Sequence, residues 1–88
     1  MKVIWKYHLA HHLASIPMPK GAEILTVQQQ DNFLYLWAAV DPHQELEPRR
    51  FMIHGTGVAG RGIQRENYIG TVQVHGGNYV WHIFEDKR

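Results

Sequence analysis

The sequence predicts an all-β fold: a small single-domain antiparallel sheet, arranged as a sandwich or an open barrel of about six strands over residues 1–88. The chain of 88 residues is long enough for one compact domain and too short for two. Most of it consists of short segments in which apolar and polar residues alternate with the period of a strand. No segment has a convincing helical pattern, and the four prolines fall in breaks between the segments.

The predicted strands follow one another with turns between them. Residues 2–9 form the first strand, and residues 10–16 are predicted to be a loop because Pro17 and Pro19 follow them. Residues 23–30 and 33–40 form a hairpin around Asp31-Asn32, and the second of these strands, apolar on both faces, is predicted to be central. A surface loop (42–48), a strand (49–54), a mobile glycine-rich loop (55–67), a second hairpin (68–75 and 78–85, joined by Gly76-Gly77) and a frayed tail (86–88) complete the chain.

Composition and charge exclude several classes of protein. Lys and Arg number 9 and Asp and Glu number 8, so the net charge of +1 supplies no basic field for nucleic acid or anionic membrane. The absence of cysteine excludes disulfides and thiolate metal sites. The longest apolar run, residues 33–40, is far below the ~18 residues of a membrane span, so we expect a soluble, cytoplasmic protein. The open edges of so small a sheet predict a homo-oligomer.

The glycine-rich loop is the first candidate binding site. Residues 55–60 match G-x-G-x-x-G after a predicted strand, but no helix follows that would hold a pyrophosphate, so a dinucleotide site is not predicted. Two interpretations remain: a flexible connection between strands, or an anion-binding nest of backbone N–H groups assisted by Arg61 or Arg65. The candidate ligand-binding residues are Gly55, Thr56, Gly57, Arg61, Arg65 and Trp37.

Aromatic residues recur at every second position in three strands, which predicts rows of rings on a sheet face. The rows are Trp5 and Tyr7; Phe33, Tyr35 and Trp37; and Tyr79 and Trp81. If exposed, such a face stacks bases or a purine ligand. If buried, the rows form the core or a subunit interface, which is the interpretation that a domain of this size favours.

Metal binding and catalysis receive little support. Seven histidines are present, but the spacing of His8, His11 and His12 suits a metal only on a helix that the strand pattern opposes. Ser15 is the only serine, and no paired carboxylate motif occurs. We therefore expect a non-enzymatic protein without a metal or cofactor.

Several stretches, in their order along nearly the whole chain, resemble a family of small, uncharacterised bacteriophage and prophage proteins. They are residues 2–7, 18–22, 24–28, 36–38, 40–42, 55–57 and 68–71, and Gly76-Gly77 before Val80, His82, Phe84 and Glu85. The resemblance implies a phage setting and supplies no catalytic residue. In that setting we expect a counter-defence binding protein in the host cytoplasm that sequesters a nucleotide-like signal or blocks a host protein. The alternative is a minor structural or assembly component of the phage particle.

Overall fold

In the computed structural model, which describes residues 1–87, seven strands form two antiparallel sheets that pack face to face without closing into a barrel. The all-β prediction is confirmed. Strands β1, β4 and β3 form the three-stranded sheet in that order, and β2, β5, β7 and β6 form the four-stranded sheet. The strands are β1 (Val3–Leu9), β2 (Leu13–Pro19), β3 (Glu23–Gln30), β4 (Phe33–Val40), β5 (Leu46–Gly55), β6 (Tyr68–Val74) and β7 (Tyr79–Asp86).

Strand β4 is the centre of the three-stranded sheet, as its apolar pattern predicts. Its even-numbered residues, Leu34 to Val40, are buried against the other sheet, whereas the odd-numbered residues are exposed or half-buried on the outer face. The turn between β3 and β4 has positive φ angles at Asp31 (52°) and Asn32 (68°), which suit a tight hairpin and are tolerated best by these two residue types. This hairpin was predicted.

Strand β2 is absent from the sequence prediction, which assigned residues 10–16 to a loop. Residues 13–19 pair with β5 and form an edge of the four-stranded sheet. An edge strand has a neighbour on one side only, so the missing N–H groups of Pro17 and Pro19 are tolerated there. Strand β5 likewise begins at Leu46, before its predicted start. Pro48 lies where β5 pairs only with β2, since the pairing with β7 begins at Arg50.

The end of β7 corrects the prediction of a frayed tail. Asp86 lies within β7, opposite Arg50, and Lys87 donates a hydrogen bond to the backbone oxygen of Glu66 at 3.1 Å. Arg88 lies outside the described residues.

The two sheets share one core. It comprises Leu9, Met18, Ala22, Val27, Leu34, Leu36, Ala38, Val40, Phe51, Ile53, Val72, Val74 and Ile83. At one side β3 lies directly over β6, so close that a Cβ on Gly70 would sit 2.8 Å from Val27. Asn32 Oδ1 accepts a hydrogen bond of 2.8 Å from the backbone N–H of His75, which ties the hairpin of one sheet to the hairpin of the other.

Candidate functional site

The glycine-rich loop folds back over the outer face of the four-stranded sheet. Met52 and Phe84 are on that outer face, yet each is buried. Glycine suits this close packing, because a Cβ on Gly60 would overlap the imidazole of His54, and Gly62 has a φ of 71° that other residues rarely adopt. The loop therefore acts as a cover for the sheet.

His82 fastens the start of this loop to the sheet. Its Nε2 lies 2.6 Å from the hydroxyl of Thr56, and its Nδ1 lies 2.9 Å from the hydroxyl of Thr71. The Tyr68 hydroxyl lies 2.6 Å from Thr71, so four side chains form one hydrogen-bonded chain. A histidine between two hydroxyls is satisfied in either tautomer. The arrangement holds the start of the loop against the sheet.

A small cavity lies beside the loop, but Arg61 and Arg65, the two arginines predicted to bind an anion there, do not line it. The cavity has a volume of about 270 Å³ and is lined by Gly55, Thr56 and Gly57 together with His54, Val58, Ile63, His82 and Phe84. Arg61 points instead to Asp86, whose carboxylate lies 3.1 Å from its guanidinium. Arg65 lies in a single exposed 3₁₀ turn, Arg65–Asn67. The structure therefore brings three of the predicted ligand-binding residues together and leaves both arginines outside.

The strongest polar cluster was not predicted as a site. Arg49 donates two hydrogen bonds to the Glu85 carboxylate, at 2.5 and 3.0 Å, and a third to the backbone oxygen of Ala22 at 2.9 Å. The hydrogen bond to Glu85 raises the pKa of Arg49 above its ordinary value. This cluster links β5 and β7 to the turn that leads into β3, and it forms one wall of a cavity of about 500 Å³. One sequence signal pointed to this cluster: Glu85 continues the inward-facing side of its strand after Trp81 and Ile83, and a carboxylate on that side needs a cation as its partner.

Trp37, the sixth predicted residue, belongs to a different surface. Phe33, Tyr35, Trp37 and Ala39 alternate on the outer face of the three-stranded sheet, and the ring centres of Tyr35 and Trp37 are 6.3 Å apart. Residues paired with them in β1 and β3 share this face. We call it the aromatic face; it consists of Ile4, Lys6, His8, Glu23, Thr26, Gln28, Gln30, Phe33, Tyr35, Trp37 and Ala39.

Contacts between neighbouring strands hold the rings of the aromatic face in place. The Lys6 ammonium lies 4.5 Å from the centre of the Tyr35 ring and donates a hydrogen bond of 2.8 Å to the Gln30 side chain. The His8 imidazole lies 5.1 Å from the Tyr35 ring and 5.8 Å from the Phe33 ring. Trp37 is half-buried, and Phe33 is 57% exposed. The other predicted aromatic rows lie elsewhere, because Trp5 and Tyr7 have inward-facing partners in β4, and Tyr79 and Trp81 belong to the other sheet.

A third region, the histidine cleft, opens where the two sheets meet at the start of β4. It has a volume of about 250 Å³, and its lining includes His8, His11, His12, Phe33 and Trp81. His12 is already engaged, with its ring 5.3 Å from that of Trp81 and its Nδ1 3.4 Å from the Ile53 oxygen. Among residues 1–87, no three histidine, aspartate or glutamate side chains are grouped as metal ligands would be.

No helix among the described residues has the length and apolar character needed to cross a membrane. Neither the curated proteins nor the solved structures contain a match to this chain. A family of domains of unknown function, DUF7352, matches residues 1–88. Because the match covers the whole chain, the protein belongs to the DUF7352 family of domains of unknown function.

Proposed function

We propose that this protein is a non-enzymatic binding protein whose aromatic face docks on another protein. The observation that carries the proposal is the row Phe33, Tyr35 and Trp37 on an outer sheet face. Phe33 is 57% exposed, and Ile4, which lies on the same face opposite Ala39, is 62% exposed. A monomeric protein of this size needs its large side chains in its core, so a row of rings left on an outer face favours an interaction surface.

The chemistry of the aromatic face suits a protein partner. Aromatic side chains supply most of the binding energy in protein interfaces, and a rim of polar groups surrounds them. Here the polar groups beside the rings are Lys6, whose ammonium lies over the ring of Tyr35, and Gln28 and Gln30 on β3. The rings lie on the face of a sheet and line none of the cavities described above except through Phe33. The partner would present an apolar patch with a carboxylate near Lys6.

The phage setting that the sequence resemblance implies suggests which kind of protein would be the partner. A small phage-encoded protein of this kind would bind a host protein in the host cytoplasm and block it as a counter-defence measure. Nothing in that role needs a catalytic group.

Affinity capture from phage-infected cells tests the proposal. The protein is compared with two variants, Trp37→Ala on the aromatic face and Leu13→Ala on the outer face of the other sheet, where Leu13 is 67% exposed. We expect a host protein to be captured by the parent chain and by Leu13→Ala, and to be lost with Trp37→Ala while circular dichroism shows an intact fold. Equal capture by all three proteins would contradict the proposal. Capture of phage particle proteins alone would favour the structural role.

The nucleotide-sequestering function is a second candidate, and the histidine cleft supports it better than the glycine-rich loop does. Trp81 and Phe33 offer rings for a base, and His8 and His11 offer N–H groups for a phosphate. At the loop, an anion would have to compete with Asp86 for Arg61. Native mass spectrometry of freshly purified protein tests this candidate. Added mass in the nucleotide range, absent from a Trp81→Leu variant, would support it, and unliganded protein in both samples would count against it.

A further inference from the structure

Strand β1 is an edge of the three-stranded sheet and pairs only with β4 among the described strands. The pairing runs through all seven of its residues without interruption, so its register is regular. The backbone hydrogen bonds formed outside the strand ladders involve none of residues 3–9. One side of β1 therefore presents a row of backbone N–H and C=O groups about 23 Å long that lacks a partner within residues 1–87.

The other three sheet edges carry features that block further pairing. Strand β2 contains Pro17 and Pro19, which cannot donate to a ladder. Strand β3 has an irregularity between Ile24 and Thr26 and lies over β6. Strand β6 has a register shift near its start, between Tyr68 and Gly70. Such irregularities are common protections of sheet edges, and β1 has neither a proline nor a bulge.

The side chains of β1 also favour pairing. Val3 (37% exposed) and Trp5 (41%) lie on one face, and Ile4 (62%) lies on the other, so both faces of the strand remain apolar and accessible. A lysine on an edge strand normally discourages association. Lys6, however, reaches across β4 to Gln30 on β3, with its ammonium over the ring of Tyr35, so its charge is held away from the edge.

We propose that β1 pairs antiparallel with β1 of a second copy of this chain, giving one continuous six-stranded sheet across a twofold axis. When that axis is perpendicular to the sheet, one residue of β1 lies opposite the same residue of the partner, and we call this residue the centre of the pairing. A centre at Ile4 places Lys6 opposite the partner's Lys2, a centre at Lys6 places it opposite the partner's Lys6, and a centre at Tyr7 places it opposite the partner's His8.

A centre at Trp5 also keeps the lysines apart, since Lys2 then faces the partner's His8, and of these four centres it alone brings the two tryptophans opposite each other. Trp5 then faces the partner's Trp5, Lys6 faces the partner's Ile4, and Tyr7 faces the partner's Val3. Directly opposed tryptophans are a favourable cross-strand pair. This twofold axis also places both aromatic faces on the same side of the joined sheet, so the dimer would present that face twice. The inference does not depend on what the aromatic face binds.

Sedimentation velocity over a range of concentrations tests whether the dimer forms. A single strand pair buries less surface than a standard interface, so we expect a dissociation constant on the order of 10 µM. Trp5→Lys would place two lysines opposite each other and is expected to weaken the dimer at least about tenfold. Leu13→Lys, at an exposed position of β2, is the matched control and is expected to leave the dimer unchanged. A monomer at several hundred micromolar, or equal effects of the two variants, would overturn the inference.

Cysteine cross-linking tests the arrangement, and the natural chain contains no cysteine to interfere. Directly opposite residues have Cα atoms about 4.5 to 5.5 Å apart, within the range that a disulfide spans. Trp5→Cys is therefore expected to form a disulfide-linked dimer on mild oxidation at concentrations where Ile4→Cys, Lys6→Cys and the exposed control Leu13→Cys stay mostly monomeric. Preferential cross-linking at position 4 or 6, or equal cross-linking of all four variants, would contradict a centre at Trp5.

Discussion

Replacing Arg49 with methionine is expected to destabilise the protein by about 3 kcal/mol, because it leaves the Glu85 carboxylate without its cation. Glu85 is only 8% exposed, and the two side chains of the ion pair are 18% and 11% exposed. Removal of the guanidinium also leaves the Ala22 oxygen without its hydrogen bond, so β5 loses a contact with the turn that precedes β3.

The magnitude follows from the burial of the pair. Loss of one partner of a buried ion pair costs about 3 to 5 kcal/mol, and the lower end applies because this pair is partly hydrated. A domain of this size has about 4 to 13 kcal/mol of total stability, so the loss is a large part of it. The melting temperature should fall by about 12 to 24 °C, since each kcal/mol shifts a small domain by about 4 to 8 °C.

Urea denaturation followed by tryptophan fluorescence measures the effect, with two comparisons. The double variant Arg49→Met, Glu85→Met removes both charges and should regain at least about 1.5 kcal/mol relative to Arg49→Met alone. Arg61→Met breaks the pair with Asp86, whose side chain is 5% exposed but keeps a further interaction, and the Arg61 side chain is 49% exposed, so the cost should stay below about 1 kcal/mol. Equal losses for Arg49→Met and Arg61→Met, or no recovery in the double variant, would refute this reasoning.

Three further predictions concern single positions. Gly60→Ala should destabilise the protein by about 1 to 3 kcal/mol in urea denaturation, because its methyl group would overlap the His54 ring; unchanged stability would contradict the tight packing of the loop. Tyr7→Phe should be neutral or stabilising by up to about 1 kcal/mol, because the buried hydroxyl of Tyr7 has no hydrogen-bond partner in the described chain, whereas a loss above about 1 kcal/mol would contradict this view. The Asp41 carboxylate accepts a hydrogen bond of 3.0 Å from the backbone N–H of His43, which lowers the pKa of Asp41. Its stabilising effect should be present above the ordinary aspartate pKa and be lost as the pH falls through the lowered value, and an NMR titration of Asp41 with a midpoint at or above that ordinary value would contradict this.

The fold was largely predictable because strands of a half-buried sheet have a visible period. Strand β4 shows this clearly, since its residues are apolar on both faces, and this pattern predicts its central position in the sheet. Strand β2 was not predictable by the same rule, because Pro17 and Pro19 exclude a central strand and an edge strand tolerates them. Strand propensity and the alternation of apolar residues do not indicate which strand lies at the edge of a sheet.

The candidate sites were less predictable, because a site depends on which residues the two sheets bring together. Arg49 and Glu85 are 36 residues apart in sequence, and only the pairing of β5 with β7 brings them into contact. Trp37 and the glycine-rich loop, predicted to share a ligand, lie on the outer faces of different sheets. A single chain therefore does not present these residues to one small molecule.

Site-specific photo-cross-linking in phage-infected cells tests the docking role of the aromatic face most directly. A photoreactive amino acid is placed at position 33 on that face or at position 13 on the outer face of the other sheet, since Phe33 and Leu13 are 57% and 67% exposed. The proposal predicts a discrete cross-link to one host protein from position 33, none from position 13, and its loss when Trp37→Ala is added. Cross-links of equal yield from both positions, or none from position 33, would contradict it.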